Sequence, residues 1–426
     1  MELYLHIPFC VRKCNYCDFL SFPGYGCDAD NEHHSLSSTY THALLKELKY
    51  TENAFNEVPE AGRIKTCFIG GGTPSVLSMK NTEKMLNGIR DCINASGGRL
   101  NVDDAAIKTE FTVECNPGTL DRDKLMLYKE YGINRLSIGL QSADDGILSR
   151  LGRIHSFEDF LNCYSLARKI GFKNINVDLI SAVPGQTIKN WAETLEKVTA
   201  LSPEHISAYS LIIEEGTPLY SIYENEPEKL NLPDEDTERR IYHLTQKILQ
   251  EHGYHRYEIS NYARTGFECK HNIGYWTGQE YIGIGLGAAS YLSVKNTQIF
   301  KKSAFGEEKN IYEDAKCGKT MFRIRNIGNI GEYIAGCSKV YPEVSRIEEK
   351  LENKDLMSEF CILGLRMSPG ISTEEFRDRF GMDIMNIFGD VIKKYIKEGL
   401  LEQIDGKIRF TMKGQDLSNI VLCEFL

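Results

Sequence analysis

The segment Cys10-Val11-Arg12-Lys13-Cys14-Asn15-Tyr16-Cys17 places three cysteines in one short stretch, separated by three and then two residues. Thiolates are soft ligands that select zinc, copper(I) or iron–sulfur clusters. Thiolate zinc sites are normally four-coordinate, and an iron–sulfur cluster usually takes four cysteines. Position 19, where a fourth cysteine would extend the motif, is Phe19, and Cys27 follows in a predicted loop. The spacing predicts a three-thiolate site, which in a cubane would leave one iron open to a small molecule.

Two alternatives to an iron–sulfur cluster stay open at this point. A zinc site could be completed by a distant residue, or buried thiols could lie close together without binding a metal. Cysteine spacing alone supports only a hypothesis about the metal. The structural context predicted from the rest of the chain has to test it.

The composition is that of a globular protein with sizeable cores. The 426 residues, 42% of them hydrophobic, predict two or three domains. Thirteen cysteines, an odd number scattered through apolar segments, indicate reduced thiols and a cytoplasmic protein. The beginning of the chain lacks the pattern of a signal peptide, and no apolar run approaches the ~18 residues of a membrane-spanning helix. A net charge of −10 without a long basic run argues against nucleic-acid binding, whereas peripheral membrane contact stays open.

Strand and helix patterns alternate over the first half of the chain, which predicts an α/β fold with parallel strands. Functional groups in such folds collect at the carboxyl ends of the strands. The predicted strands cover 1–7, 64–69, 111–113, 135–138, 175–180 and 205–210, and the predicted helices cover 38–55, 80–93, 121–131, 157–170 and 188–200.

Polar residues follow several of these predicted strands. Gly70-Gly71-Gly72-Thr73-Pro74 lets the backbone approach a ligand closely, although a tight turn without a ligand would use the same residues. Glu114 and Gln141 lie at strand ends, and Asp178 lies inside an apolar strand, where a carboxylate is costly unless it is paired. Arg153 is a candidate partner for Asp178, or a fork that binds a ligand carboxylate.

The cysteine spacing, with Tyr16 before the last cysteine, resembles the signature of the radical S-adenosylmethionine enzymes. In that superfamily the open iron binds the amino and carboxylate groups of S-adenosylmethionine, and electron transfer from the reduced cluster produces a 5′-deoxyadenosyl radical. Four motifs resemble more narrowly the oxygen-independent coproporphyrinogen III oxidase family: 4–10 (YLHIPFC), 70–74 (GGGTP), 135–142 (RLSIGLQS) and 151–155 (LGRIH).

This family resemblance implies a partial parallel (β/α) barrel that holds a [4Fe-4S] cluster and S-adenosylmethionine. Cys10, Cys14 and Cys17 match the cluster ligands. The matching S-adenosylmethionine contacts are Tyr4, Tyr16, Gly72, Thr73, Glu114, Gln141, Arg153 and Asp178, with a weaker match at Ile212. No separate catalytic residue is identified.

Two departures favour the haem chaperone branch of the family, whose members bind haem and pass it to apo-haemoproteins. The oxidases continue Cys-x-Cys where this chain has Phe19, and they carry an N-terminal extension, whereas this chain begins nine residues before Cys10. The branch also carries the H-N-x-x-Y-W motif, present at 271–276. The alternatives are an oxidase that decarboxylates the propionates of coproporphyrinogen III, and a haem methyltransferase or haem-degrading relative.

His271 in that motif is a candidate haem-iron ligand, because neutral imidazole commonly binds iron. Cys269 and Tyr275 are nearby competitors for the same role. An isolated histidine is more often a hydrogen-bonded loop residue.

The sequence predicts three regions: a radical S-adenosylmethionine barrel at 1–300, a linking segment at 301–354 and a small winged-helix-like α+β module at 355–426. Arg323 and Arg325 would share one strand face in the linking segment. The C-terminal module is predicted from helices at 355–367, 372–380 and 384–398 and a hairpin at 401–411. Since its charges are mixed, a lid or partner-docking role is favoured over nucleic-acid binding. The glycine run at 283–288 is expected to close the barrel rather than to bind a dinucleotide.

Overall fold

A computed structural model describes residues 1–24, 35–58, 61–101, 108–305 and 320–426. Cys27 lies outside these described residues. The strands are β1 (Glu2–Ile7), β2 (Phe9–Cys10), β3 (Phe22–Pro23), β4 (Thr66–Gly71), β5 (Glu110–Cys115), β6 (Arg135–Gln141), β7 (Ile175–Ser181), β8 (His205–Ser210), β9 (His255–Arg256), β10 (Asn261–Ala263), β11 (Tyr281–Ile284), β12 (Ala289–Ser293), β13 (Met321–Asn326), β14 (Ser345–Leu351), β15 (Ile371–Ser372), β16 (Leu401–Ile404) and β17 (Lys407–Phe410).

The α-helices pack around these strands, and short 3-10 helices lie at Pro74–Val76, Pro227–Lys229 and Lys302–Phe305. The α-helices are α1 (Leu36–Glu57), α2 (Met79–Ala95), α3 (Arg122–Glu130), α4 (Asp145–Arg150), α5 (Phe157–Ile170), α6 (Ile188–Ala200), α7 (Pro218–Asn225), α8 (Glu235–Glu251), α9 (Lys270–Trp276), α10 (Val294–Phe300), α11 (Ile330–Cys337), α12 (Asn353–Gly364), α13 (Thr373–Phe380), α14 (Ile384–Lys397), α15 (Met412–Asp416) and α16 (Ser418–Cys423).

Twelve strands form one sheet, in the order β14-β13-β12-β11-β1-β4-β5-β6-β7-β8-β10-β9. From β11 to β8, the successive strands of this order run parallel to one another, as the alternating pattern predicts. Within the described residues, β14 and β9 pair with no further strand, so the sheet stays open. The predicted α/β fold with a partial parallel barrel is therefore confirmed.

The two faces of the parallel strands differ in polarity. On β1, Leu3, Leu5 and Ile7 are fully buried in the apolar core that also contains Leu44 of α1 and Leu86 of α2. The other face carries mostly polar residues, because successive side chains of a strand point to opposite faces. These polar residues include Glu2, Tyr4 and His6 on β1, Glu114 on β5 and Asp178 on β7. The sheet thus separates a dry helix-covered face from a polar interior.

The glycine run at 283–288 does not close the barrel, so that expectation was wrong. Strand β11, which contains Gly283, pairs with β1 on the side opposite β4 and extends the open sheet. A side chain at Gly283 would run into the carbonyl oxygen of Ala289, because β11 and β12 form a tight antiparallel pair. No crossover helix follows β11, so the strand–turn–helix that a dinucleotide needs is missing from this described segment.

The segment 301–354, predicted as a link, contributes two strands to the main sheet. Its strands β13 and β14 are the outermost strands of the main sheet on that side. Buried Lys301 donates to buried Glu47 of α1 at 2.7 Å, which ties the segment to the parallel core. Arg323 pairs with Glu349 on β14 and with Glu359 on α12. Sequence analysis missed this attachment because its partners are far apart in the chain.

The C-terminal residues form the three predicted helices, α12, α13 and α14, and the predicted hairpin of β16 and β17. A third short strand, β15, pairs with β17. These elements share their own apolar core, which includes Phe376, Ile392 and Phe425. The Arg366 guanidinium lies 4.5 Å from the ring centre of Trp276 on α9, so this core region packs against the main sheet at that helix.

Candidate functional site

The three motif cysteines line one cavity of about 360 Å³ at the carboxyl ends of the parallel strands, here called the open end. Cys10 ends β2, which pairs with β3, and Gly24 N donates to Cys10 O at 2.9 Å. The Thr73 hydroxyl lies 3.4 Å from Cys10 Sγ, and Arg153 Nη1 donates to Cys14 Sγ at 3.5 Å. The cysteine loop, residues 10–17, is therefore held at Cys10 and at Cys14 by residues that sequence analysis placed near the cofactors.

The three thiols are not arranged as a single-ion site in this structure. Among the described residues, no three His, Cys, Asp or Glu side chains converge closely enough to hold a single metal ion. A zinc ion requires all its sulfurs at about 2.3 Å, whereas each cysteine of a cubane binds a different iron.

Burial shifts two thiols of the motif toward the protonated form, as it does the core thiols Cys67 and Cys115. It raises the pKa of Cys17 to about 11 and also raises the pKa of Cys10. Metal coordination would deprotonate these thiols.

Gly71 and Gly72 are required by the packing of the cysteine loop. A Cβ at Gly72 would lie 2.7 Å from Phe9 O and 3.0 Å from Cys10 Sγ. Gly71 has a φ of 108°, and a Cβ there would lie 2.7 Å from the His6 ring. Thr73 N donates to Phe9 O at 2.7 Å. The glycine segment therefore packs directly against the cysteine loop. A tight turn without a ligand would not require this close contact.

Two carboxyl groups, Glu114 and Asp178, lie in the cavity. Glu114 accepts from Gly71 N at 3.2 Å, and burial, followed by the charge of Asp178, raises the pKa of Glu114 to about 8. Asp178 accepts from Ser137 Oγ at 2.9 Å and from Asn176 Nδ2 at 2.7 Å, and burial raises its pKa. The mid-strand carboxylate is thus paired with neutral groups. A positively charged ligand in the cavity would lower both pKa values and favour the ionised carboxyls.

Arg153 does not pair with Asp178, in contrast to one of the two predicted roles. Its Nη2 donates to Asn116 Oδ1 at 2.6 Å and to Gly139 O at 2.8 Å, while Nη1 faces Cys14. Its Nε is buried and lacks a hydrogen-bond partner among the described residues. Arg153 therefore fastens the cysteine loop to β6 and keeps one donor inside the site.

The remaining predicted contacts are mostly in the cavity wall. Tyr16, Gln141 and Ile212 line it, and Gln141 has a φ of 72°, an uncommon backbone conformation for a residue other than glycine. Tyr4 does not line the cavity, because its hydroxyl lies 3.1 Å from His6 Nδ1 and its ring stacks on Phe68.

Sequence analysis missed two supporting residues, His6 and Asn116. His6 Nε2 lies 2.8 Å from Leu20 O, so the imidazole joins β1 to the end of the cysteine loop. Asn116 Nδ2 donates to Thr73 Oγ1 at 2.8 Å while its oxygen accepts from Arg153. The one available signal was the position of His6 between the apolar residues Leu5 and Ile7, because a buried histidine needs partners.

His271 lies at the opposite, amino ends of the parallel strands, here called the closed end. Its side chain is 1% exposed, with Nδ1 2.7 Å from Thr66 Oγ1 and Nε2 2.9 Å from Tyr275 OH. Burial, followed by the charge of Arg135, lowers the pKa of His271 to about 3, so the ring is neutral. Both ring nitrogens have protein partners, so His271 would have to give up one of these contacts before it could bind a haem iron.

Cys269 and Tyr275, the two other candidate haem ligands, are also enclosed by the protein. Cys269 is fully buried, and Tyr275 OH is engaged by His271. Glu110 accepts from the backbone N–H groups of Lys270 and His271 at 3.2 Å each and so fixes the start of α9. The motif at 271–276 thus packs against the amino ends of the strands at the closed end.

Comparison with known proteins places this chain among related sequences. Residues 4–198 match the radical SAM superfamily model and residues 351–417 match the HemN C-terminal domain model. The chain is 32% identical to the heme chaperone HemW of Bacillus subtilis (99% of this chain, 98% of the relative) and 37% identical to that of Escherichia coli (71% and 72%). It is 35% identical to radical S-adenosyl methionine domain-containing protein 1, mitochondrial, of Danio rerio (88% and 74%).

The fold is similar to the coproporphyrinogen III oxidase HemN from Escherichia coli, a radical SAM enzyme, with a TM-score of 0.74. That match covers 100% of this chain and 89% of the other at 20% identity, which shows a shared fold alone. No helix among the described residues is long and apolar enough to cross a membrane.

Proposed function

Because this chain belongs to the heme chaperone HemW family of the radical SAM superfamily, we propose that it binds haem and transfers it to apo-haemoproteins. The observation that carries the proposal is the match to HemW of Bacillus subtilis over 99% of this chain and 98% of the relative. Phe19, at the position of the extra cysteine in the oxidases, supports the same choice.

We propose further that Cys10, Cys14 and Cys17 hold a [4Fe-4S] cluster and that S-adenosylmethionine binds in the adjacent cavity. When bound, the cluster and S-adenosylmethionine would supply one-electron chemistry at the sulfonium, as the family implies. The two carboxyl groups of Glu114 and Asp178 support a cationic ligand there, since the nearby Arg153 donors are largely used by Asn116, Gly139 and Cys14. Tyr16, Gly72, Thr73, Gln141 and Ile212 would complete the cavity wall.

The chain's own residues would position and protect this site. His6, Asn116 and Arg153 hold the cysteine loop, which keeps the three thiols in place. Glu114, with its raised pKa, would keep a proton in the cavity until a cation binds. The recipients would be apo-haemoproteins of the cytoplasm, and the free state of the described cysteines supports that compartment.

The test is anaerobic reconstitution of the full chain, followed by haem titration and a porphyrinogen turnover assay in parallel. We expect about four irons per chain. Haem should bind with a micromolar or tighter Kd, or about −8 kcal/mol, because a chaperone must hold haem and still release it. Coproporphyrinogen III should not be converted.

Two results would contradict these expectations. Zinc in place of iron after purification without oxygen would rule out the cluster. Formation of protoporphyrinogen IX at several turnovers per chain, with no haem bound, would make the protein an oxidase.

A further inference from the structure

Large apolar side chains are exposed at the mouth of the open-end cavity. Phe19 is 60% exposed, Ile212 69% and Tyr209 40%, yet all three line the cavity. We call these three residues the mouth patch. Adjacent exposed apolar residues that line a concave site mark a place where another molecule binds.

The apolar surface continues on the other side of the cysteine loop. Val11 and Ile154, both exposed, line a second cleft of about 30 Å³. The cleft and the cavity share Arg12, Cys14 and Arg153 in their walls. Exposed apolar side chains thus flank the cysteine loop on both sides.

The charges at the mouth are asymmetric. Exposed Arg12 lines both the cavity and the cleft, and Lys13 lines the cavity beside it. The exposed carboxylates Asp18 and Glu214 line only the cavity. A ligand with an apolar face and an anionic edge would therefore direct that edge toward Arg12.

The interior of the cavity is unsuited to such a ligand. Its volume of about 360 Å³ lies near the lower end of the roughly 300–1,000 Å³ of ligand pockets. The proposed S-adenosylmethionine would occupy this volume, and the carboxyl groups of Glu114 and Asp178 in its walls offer no cationic partner to ligand carboxylates. A large anionic macrocycle would have to lie at the mouth.

Resting on the proposed function, we propose that haem binds across this mouth. One face of the macrocycle packs on the mouth patch, and the two propionates point toward Arg12 and Lys13. Haem then lies directly outside the cysteine loop, at the far end of the strands from His271. The apolar patch and the cationic edge match the two chemical parts of haem.

The first test compares polar substitutions at the mouth with a matched control. Phe19→Ser, Ile212→Ser and the double variant are titrated with haem in the reconstituted full chain, and Ile420→Ser, on a side chain that is 58% exposed on α16, is the control. We expect the double variant to bind haem at least tenfold more weakly, since exposed apolar area is lost, and the control to stay within twofold. Iron per chain, measured for every variant, separates loss of haem from loss of the cluster. Because Ile212 lies outside the cysteine loop, its single variant gives the answer even if Phe19→Ser loses iron.

The second test addresses the propionates. Arg12→Glu should weaken binding of haem about tenfold or more, but it should leave binding of haem dimethyl ester within twofold, because the ester has no anionic edge. Arg346→Glu, on exposed β14, is the matched control.

The two possible failures can be told apart. If the wild type binds haem and the Phe19/Ile212 double variant binds it with the same affinity, the mouth site is overturned and the proposed function stands. Failure of the wild type to bind haem would overturn both.

Discussion

The open and closed ends of the parallel strands carry the same kinds of side chain but use them differently. At the closed end, His271 has partners on both ring nitrogens and Glu110 caps α9, so the groups are buried and mostly paired. At the open end, Glu114, Asp178 and the thiols of the motif line a cavity. A histidine, cysteine or carboxylate at a strand end therefore does not by itself mark a binding site. The side chain must also be reachable by a ligand and must keep a hydrogen-bonding or metal-binding atom that no protein group uses.

The largest expected effect concerns the cysteines of the two ends. Cys14→Ala should remove the cluster, so that iron falls from about four per chain to near zero, because a cubane held by three protein thiolates loses one of them. Cys269→Ala, at the closed end, should keep the full iron content. Iron analysis and the absorbance of the reconstituted proteins measure both. A full iron content in Cys14→Ala would contradict the assignment of the cluster to the open end.

The next effect concerns stability at the closed end. His271→Ala should lower the free energy of unfolding by about 2–4 kcal/mol, because it leaves a buried cavity and unpaired hydroxyls at Thr66 and Tyr275. Haem affinity should stay within twofold. Denaturant unfolding and haem titration check the two statements, with His42→Ala at an exposed position as the control. A displaced Soret band with unchanged stability would restore His271 as a haem ligand.

A pH-dependent effect, smaller than the preceding one per pH unit, concerns Glu2, also at the closed end. Burial raises the pKa of Glu2 from 4.5 to about 9, and its Oε2 has no hydrogen-bond partner among the described residues. Between these pH values the unfolded chain has lost the proton that the folded chain keeps. Stability due to this group is therefore complete below pH 4.5 and is lost as the pH rises toward 9.

Glu2→Gln should flatten that decline, whose slope is at most about 1.4 kcal/mol per pH unit for one group. Denaturant unfolding at several pH values measures it, and Glu83→Gln, at an exposed position, should leave the slope unchanged. An unaltered slope in Glu2→Gln would show that Glu2 is ionised in the folded protein.

The smallest expected effect concerns a carboxylate of the open end. Asp178→Ala should weaken binding of S-adenosylmethionine about tenfold, or about 1.4 kcal/mol, because the cavity loses one of its two acidic groups. Equilibrium dialysis and the magnetic resonance signal of the reduced cluster measure the affinity. Asp123→Ala, at an exposed position of α3, should bind like the wild type. Unchanged affinity in Asp178→Ala would assign the carboxylate to strand packing with Ser137 and Asn176.

Short-range patterns in the sequence determined the parallel α/β fold and the location of the cysteine site. Alternating strands and helices predict the sheet, because each pattern reflects burial along a few neighbouring residues. The cysteine spacing, the glycine segment and Glu114 were predicted at the carboxyl ends of strands, where the structure places them. Helices α12, α13 and α14 of the C-terminal region were predicted to within a few residues for the same reason, whereas the short helices α15 and α16 were not predicted.

Only the tertiary structure decided which polar groups form hydrogen bonds within the protein and which stay available to a ligand. His271 binds Thr66, 205 residues away, and Arg153 binds Cys14, 139 residues away. The same holds for Arg323, whose partner Glu359 ties a supposed link to α12. A sequence pattern reports how buried a residue is, but the hydrogen-bond partners of a buried polar group come from distant segments that meet only when the sheet has formed.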